Sequence, residues 1–335
     1  MSILTDKKPA PAESGEDFPG LRALTTGCGL YKVDRTLTSV GGRDRVRWLN
    51  GMVTNNVRDL AANRGVYAFV LNAQGHILGD LYIFNRGESL TLEIDRLQQE
   101  TLLALFRRYI IMDKVELESP PASLAVLEIA GPHCEQVLDA LGIHPKLDRL
   151  ELAETRLEEV SAILVRLDNP CFPNYQFWVS QDQVERAWSL LAGRGAMEVQ
   201  EDGLEMFRIL CGIPKVGADI GGRTLPQETG QERALDFNKG CYIGQEIVER
   251  IRARGAVHRT FAGLEIEGDA PIDGGKIESQ AKDAGELTTL SRAPFQGKWI
   301  GLGYVRKEFL GGEQALARGG RTVKARPLPF TDLFH

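Results

Sequence analysis

The chain reads Lys239-Gly240-Cys241-Tyr242-Ile243-Gly244-Gln245-Glu246, a cysteine set between two glycines and followed at once by residues with helical spacing. Glycine tolerates backbone angles and close approaches that a Cβ would block, so the octet reads as a tight turn. From Gln245 to Arg252 the apolar residues Ile247, Val248 and Ile251 share one face, which predicts a helix. A thiol just ahead of a helix start meets unpaired amide donors and the positive end of the helix dipole, and both favour its thiolate. Lys239, two residues away, adds to the effect if its side chain points the same way. Two readings of Cys241 are open: a reactive thiolate, or a small buried hydrophobe in a turn.

The other four cysteines, Cys28, Cys134, Cys171 and Cys211, are scattered and form no C-x-x-C pair, so neither a disulfide framework nor a zinc knuckle is expected. His76 and His133 share no i, i+4 spacing with other ligand types, so no preformed metal site is expected either. A reducing, cytoplasmic compartment fits this usage. No apolar run approaches the ~18 residues that span a bilayer, and the segment from Met1 to about Pro19 lacks the apolar core of a secretory signal. It reads as a disordered leader, assigned to residues 1–20. The net charge of −6 gives no global reason to bind nucleic acid. Locally, Lys239, Arg250, Arg252, Arg254, His258 and Arg259 cluster, opposed by Glu246 and Glu249. RNA or another anion at this 250–259 patch and a solvated helix face are both open readings.

At 335 residues the chain has room for two or three domains. Residues 33–40 alternate like a half-buried strand, and Gly42 to Val57 carries helical spacing. A meander follows, with strands from Val66 to Leu71, Ile77 to Phe84 and Leu90 to Ile94 separated by turns at Ala73-Gln74-Gly75 and Arg86-Gly87-Glu88. Leu97, Leu102, Leu105 and Phe106 mark a helix, and Val115 to Leu117 is extended. After Pro120-Pro121 a second unit begins, with strands at Leu124 to Ile129, Ala162 to Leu167 and Tyr175 to Val179 and helices at His133 to Leu141, Val184 to Leu191 and Leu204 to Leu210. Strands and helices mix without βαβ alternation, which predicts an α+β fold. From Phe261 onward, short apolar runs between glycine-rich turns predict a small all-β barrel or sandwich. No GxGxxG, Walker or GxSxG motif is present.

The octet and its flanks, Leu225-Pro226-Gln227-Glu228 before it and Arg252-Ala253-Arg254-Gly255 after it, resemble the signature of the folate-binding YgfZ family, which is related to the aminomethyltransferase (T-protein) of the glycine cleavage system. Gly51 to Asn55, Leu71 to Gly75 through Asp80, Arg208 with Gly212-Ile213-Pro214 and Gly217, and Gly301 to Arg306 support the resemblance, which runs from about Leu21 onward. It implies two mixed α/β folate-binding subdomains, 21–120 and 121–255, and a C-terminal β-barrel, 256–330. It also implies a tetrahydrofolate cofactor and a role in assembling or repairing iron–sulfur clusters in client enzymes, including those that modify tRNA. Cys241 would attack a sulfur or one-carbon intermediate or briefly ligate iron, with Lys239 stabilising its anion. The transferases carry an aspartate at the position of Cys241, an Asp pair where this chain has Gly79-Asp80, and an acidic E-D-G-(F/Y)-E run where it has Phe172 to Gln176. These departures weigh against an aminomethyltransferase, the first rival. The second is a folate-regulated docking protein without catalysis.

A reduced folate offers a pterin edge with adjacent N–H donors, aromatic rings and an anionic tail, which call for a carboxylate, ring contacts and an arginine. By resemblance Asp80 is the carboxylate nearest the folate; the alternative is a solvent-facing acid. Arg208 is either an internal anchor or a ligand contact, and the contact is expected from its planar fork. Tyr175 and Tyr67 are candidate ring contacts, or core residues. Glu228 either reaches the same cleft or caps a turn.

Overall fold

The computed structural model describes residues 18–118, 124–144, 146–255, 257–268, 274–311 and 315–334. The Pro120-Pro121 boundary and the expected leader up to residue 17 lie outside these. Phe18, inside the expected leader, is instead buried against the core with Leu21 and Leu24.

The chain begins with α1 (Leu21–Thr26), β1 (Gly29–Val33), β2 (Arg35–Gly41) and α2 (Arg45–Met52). The meander gives β3 (Gly65–Leu71), β4 (Ile77–Asn85) and β5 (Leu90–Asp95), then α3 (Arg96–Arg108) and β6 (Glu116–Glu118). The Asp95 side chain caps α3 by accepting from Leu97 N at 2.9 Å. β7 (Leu124–Ala130), α4 (Cys134–Ala140), β8 (Glu151–Leu157), β9 (Val160–Arg166), β10 (Asn174–Ser180), α5 (Val184–Ala192), β11 (Met197–Glu198) and α6 (Glu201–Cys211) follow. After a long irregular stretch come α7 (Gln245–Arg254) and the strands β12 (Arg259–Ile266), β13 (Gly275–Ser279), β14 (Lys282–Leu290), β15 (Trp299–Arg306), β16 (Leu316–Arg318) and β17 (Arg321–Arg326).

These strands make a five-stranded sheet ordered β3-β4-β5-β2-β6, a six-stranded sheet ordered β11-β1-β7-β10-β9-β8, and a closed barrel ordered β12-β15-β14-β13-β16-β17. The α+β character and the C-terminal barrel are as the sequence predicts. The single strand expected over residues 33–40 is different: the chain breaks at Asp34, β1 pairs with β7 and β11, and β2 pairs with β5 and β6. The segment 21–33 therefore belongs to the second sheet although it precedes the first.

The two sheets face each other through Leu37, Phe84, Val126, Leu152, Val165 and Trp178, all buried. Strand alternation puts Tyr67, Tyr82, Glu93 and Leu37, which pair across β3, β4, β5 and β2, on that inner face of the first sheet. The same rule puts Asn174, Gln176 and Trp178 of β10 and Glu128 of β7 opposite them. Where β1 and β2 part, this interface changes from apolar to charged and opens into a cavity. Among the described residues no helix is long and apolar enough to cross a membrane.

Candidate functional site

The cavity measures about 760 Å³ and is walled by both sheets, by α6 and by residues 213–216. It lies within the range of roughly 300–1,000 Å³ typical of sites for small organic ligands. Residues 31–35, which span the break between β1 and β2, form one side of it.

Asp80 is buried in the wall, and both of its oxygens are held: Tyr67 Oη donates to Oδ2 at 2.6 Å and Gln98 Nε2 to Oδ1 at 2.8 Å. The Asp80 amide donates in turn to Gln98 Oε1 at 3.0 Å, which fixes the orientation of the Gln98 amide. A carboxylate has about four accepting positions, so roughly two remain for a ligand. Burial, and then the charge of Asp80, push the Tyr67 phenol well above its ordinary value, so it stays a donor. Tyr67 thus lines the cavity, with the Arg233 guanidinium 4.4 Å over its ring. Arg233 is itself paired with Asp168, which accepts from Tyr82 Oη at 3.1 Å.

The other expected contacts fall elsewhere. Arg208 touches the cavity, but its donors are all engaged: Nε with Glu205 at 2.9 Å, one terminal nitrogen with Ile213 O at 2.6 Å and Asp219 at 2.7 Å, the other with Glu205 at 2.6 Å and Thr289 at 3.3 Å. It is the internal anchor tying α6 to the 213–219 segment and to the barrel, which corrects the expected ligand contact. Tyr175 is out of phase with Asn174 and Gln176 on β10, so its ring enters the core beneath α4 and its hydroxyl donates to Glu135 at 3.1 Å. Glu228 is buried away from the cavity. It accepts from Leu225 N at 3.2 Å and from Arg259 at 3.1 Å through both oxygens, capping its turn and joining it to β12. That pairing, with the Arg259 guanidinium 4.5 Å over the Tyr304 ring, removes Arg259 from the expected basic patch.

Lys239 is likewise corrected. Its ammonium is buried and donates at 2.6 Å to three backbone carbonyls, those of Asn50, Val53 and Asn55 at the end of α2, with none of these bonds directed to Cys241. Burial pushes its pKa down to about 7. Three carbonyl acceptors match the three donors of the charged form, which a neutral amine could not fill, so the ammonium is the state the geometry suits.

Cys241 is exposed, which overturns the buried reading. It stands outside the cavity wall, and Tyr242, Ile243 and Gly244 separate it from α7. Gly244 has φ +83°, and a Cβ there would lie 2.6 Å from Asn72 O, so only glycine lets the octet press against the β3–β4 turn. Tyr242 packs inward with Tyr67, Phe69 and Val248.

Sequence reasoning missed the charged row beneath the cavity. Glu93 is fully buried, and burial raises its pKa. Its Oε1 accepts from Gln176 Nε2 at 3.0 Å and lies 3.5 Å from Arg35, while Oε2 has no partner among the described residues. Gln176 Nε2 also donates to Glu128 at 3.1 Å, and Trp178 Nε1 donates to Gln176 Oε1 at 3.1 Å, so the indole fixes which way the amide faces. Glu128 accepts further from Tyr31 Oη at 2.6 Å and Asn174 at 2.8 Å. Glu93 in the run Leu-Thr-Leu-Glu-Ile looks solvent-facing by period two; the one signal was an acid in a strand whose other face had to meet a second sheet.

Comparisons with known proteins agree with this architecture. A family model described as the GCVT N-terminal domain matches residues 21–239. An aminomethyltransferase of Rubrobacter xylanophilus is 28% identical over 315 residues, covering 92% of this chain and 84% of the relative. A tRNA-modifying protein YgfZ of Yersinia pestis is 28% identical over 233 residues, covering 69% of this chain and 68% of the relative. The crystal structure of the glycine cleavage system aminomethyltransferase T from Bartonella henselae superposes with a TM-score of 0.79 at 19% identity, covering 90% of this chain and 86% of that one, a likeness of fold.

Proposed function

Because the chain belongs to the GCVT N-terminal domain family, we propose that its inter-sheet cavity binds tetrahydrofolate and that Cys241 acts outside it, on iron–sulfur client enzymes. The observation that carries this reading is the separation of the two groups: Asp80 is buried in the cavity wall while Cys241 is exposed beyond it. The cavity suits a reduced folate in volume, in the open accepting positions of Asp80, and in the rings of Tyr67 and Tyr82 on its wall. Bound there, tetrahydrofolate would supply one-carbon carriage. The chain's part is to orient it through Asp80, Gln98 and Tyr67. Cys241 would meet the client as a transient ligand of its cluster. The remaining cations of the basic patch, Arg250, Arg252 and Arg254 on α7, follow it closely in sequence and would face the client, or an RNA bound to it.

The test is the activity of 4Fe–4S enzymes in cells lacking this protein, rescued with wild type, Cys241→Ala or Asp80→Asn at matched expression. Wild type should restore activity and Cys241→Ala should leave it about tenfold or more lower. The melting point of Cys241→Ala should stay close to that of wild type, because an exposed side chain contributes only about 0.5 kcal/mol or less. Full rescue by Cys241→Ala would point to a docking protein regulated by folate.

A second reading, aminomethyl transfer to tetrahydrofolate, is favoured by the length of the match to the Rubrobacter aminomethyltransferase. Ammonia released from an aminomethylated carrier protein in the presence of tetrahydrofolate would establish it, and would displace the first reading if deletion left 4Fe–4S enzymes unaffected.

A further inference from the structure

We propose that Arg35 is the ligand-reading residue of the cavity, donating to a carbonyl or carboxylate oxygen of the bound molecule. Three arginines border this cavity and they differ in one respect. Arg208 has five hydrogen bonds for five donors, and Arg233 is engaged by Asp168, by Gln231 at 3.1 Å and by Tyr82 at 3.4 Å. Arg35 has a single hydrogen-bonding contact among the described residues, one terminal nitrogen 3.5 Å from Glu93 Oε1. A guanidinium offers five N–H groups in a rigid fork, and a buried pair of this kind ordinarily closes to two bonds of about 2.7–2.9 Å.

Arg35 is held open instead. Its guanidinium lies 5.1 Å over the Tyr82 ring, and its one hydrogen bond goes to the Glu93 oxygen that also accepts from Gln176, while Glu93 Oε2 has no partner among the described residues. The side chain lines the cavity and is 16% exposed, so a molecule entering the cavity can reach its remaining donors. The partner that suits a planar fork is an sp² oxygen, which would replace solvent at these donors. Asp80 lies near enough to favour the charge on Arg35. The wall therefore offers acceptor positions on Asp80 and donors on Arg35, a pattern complementary to a flat ring carrying N–H beside C=O.

This inference rests on the folate reading of the cavity. A folate offers such an oxygen at the pterin carbonyl, on a formyl group where the ring nitrogen carries one, and in the benzoyl-glutamate tail, through its amide carbonyl or its carboxylates. Calorimetric titration of the full chain with tetrahydrofolate, 5-formyltetrahydrofolate and a tetrahydropterin lacking the benzoyl-glutamate tail separates them. Arg35→Met should weaken binding by about tenfold or more, and Arg35→Lys should recover part of it. Equal loss for all three ligands assigns the ring carbonyl. Loss confined to the formyl compound assigns the formyl oxygen, and loss that spares only the tail-less pterin assigns the benzoyl-glutamate tail. Because Arg35→Met strips Glu93 of its counter-charge, the double variant Arg35→Met/Glu93→Gln repeats the test in a neutral background. Affinities within twofold of wild type for every ligand, in either background, overturn the assignment. Failure of wild type to bind any of the three overturns the folate reading itself, and this inference with it.

Discussion

Around the inter-sheet cavity, charged side chains are buried and held chiefly by hydrogen bonds from other side chains, whereas the Cys241 turn is held through backbone and leaves its own thiol exposed. In the cavity, Glu93, Glu128, Gln176 and Arg35 share a few hydrogen bonds across two sheets, and Asp80 is fixed by Tyr67 and Gln98. In the turn, Lys239 reaches the carbonyls that end α2, Ile243 N donates to Gly51 O at 3.2 Å, and Gly244 fits against the β3–β4 turn. The first arrangement makes the cavity wall depend on protonation and on a network. The second makes the position of an exposed thiol depend on a frame that the thiol does not help to build, so changing the thiol and changing its frame are different experiments.

The sharpest way to break that contrast is Lys239→Met. Removing the ammonium leaves three buried carbonyls without a donor, each an unsatisfied polar group worth about 1–3 kcal/mol. The turn closes onto α2 through this side chain, so the expected loss is about 3–5 kcal/mol at pH 7, seen in urea denaturation. Cys241→Ala should change the midpoint very little. If the two substitutions proved equally mild, the frame would not depend on Lys239 and its role as a clamp would be lost.

How far this was legible beforehand differs between the two regions. The turn was readable because its signals are local: paired glycines, a cysteine and a helical face within one run. What could not be read was where Lys239 points, since its partners at Asn50, Val53 and Asn55 are more than 180 residues away. The meander from β3 to β5 was legible from alternation and turn residues. β8, β13 and β16 were not, because Glu151–Leu157 mixes charge and apolar residues and the other two are short strands fixed by barrel closure. Asp80 was found through resemblance. Arg35, Glu93, Glu128 and Gln176 escaped because a rule that assigns one strand face to solvent fails where two sheets bury both. Arg208, Tyr175 and Glu228 each took the structural one of the two roles open to them: each has a chemistry suited to a ligand, and protein partners take it up.

A second test acts inside the cavity network. Gln176 stands in the run of residues where transferases carry acids, and its Nε2 bridges Glu93 and Glu128. Gln176→Glu would replace that donor with a third carboxyl group among two carboxylates. Like charges at hydrogen-bonding distance cannot all ionise, so one or more pKa values must rise in the folded state. The folded protein then binds more protons than the unfolded chain, and stability falls as pH rises. The expected cost is about 2–4 kcal/mol at pH 8, with a large part recovered at pH 5. A pH-independent cost would mean that Gln176 acts by shape alone, and the contrast between a protonation-dependent interior and a backbone-held turn would weaken.

The smallest effect expected, and the most specific to the interior, comes from Glu93→Gln. Burial raises the pKa of Glu93 above its ordinary value of 4.5, with Arg35 and Gln176 opposing the rise. In the window from about 4.5 up to the folded value, the folded protein holds a proton that the unfolded chain has released, so wild-type stability declines as pH rises through it and levels off above. A tenfold difference in proton affinity between the two states corresponds to about 1.4 kcal/mol. Glutamine does not titrate, keeps an oxygen for Gln176 Nε2 and Arg35, and places an amide where the unpartnered Oε2 now lies. The variant should therefore gain on wild type by about 1 kcal/mol between pH 4.5 and pH 8, read from paired denaturation curves across that range. Parallel curves would show that Arg35 and Gln176 together already neutralise the cost of the buried charge. In that case the 3.5 Å approach of Arg35 is a complete ion pair, and its donors are less free for a ligand than the geometry suggests.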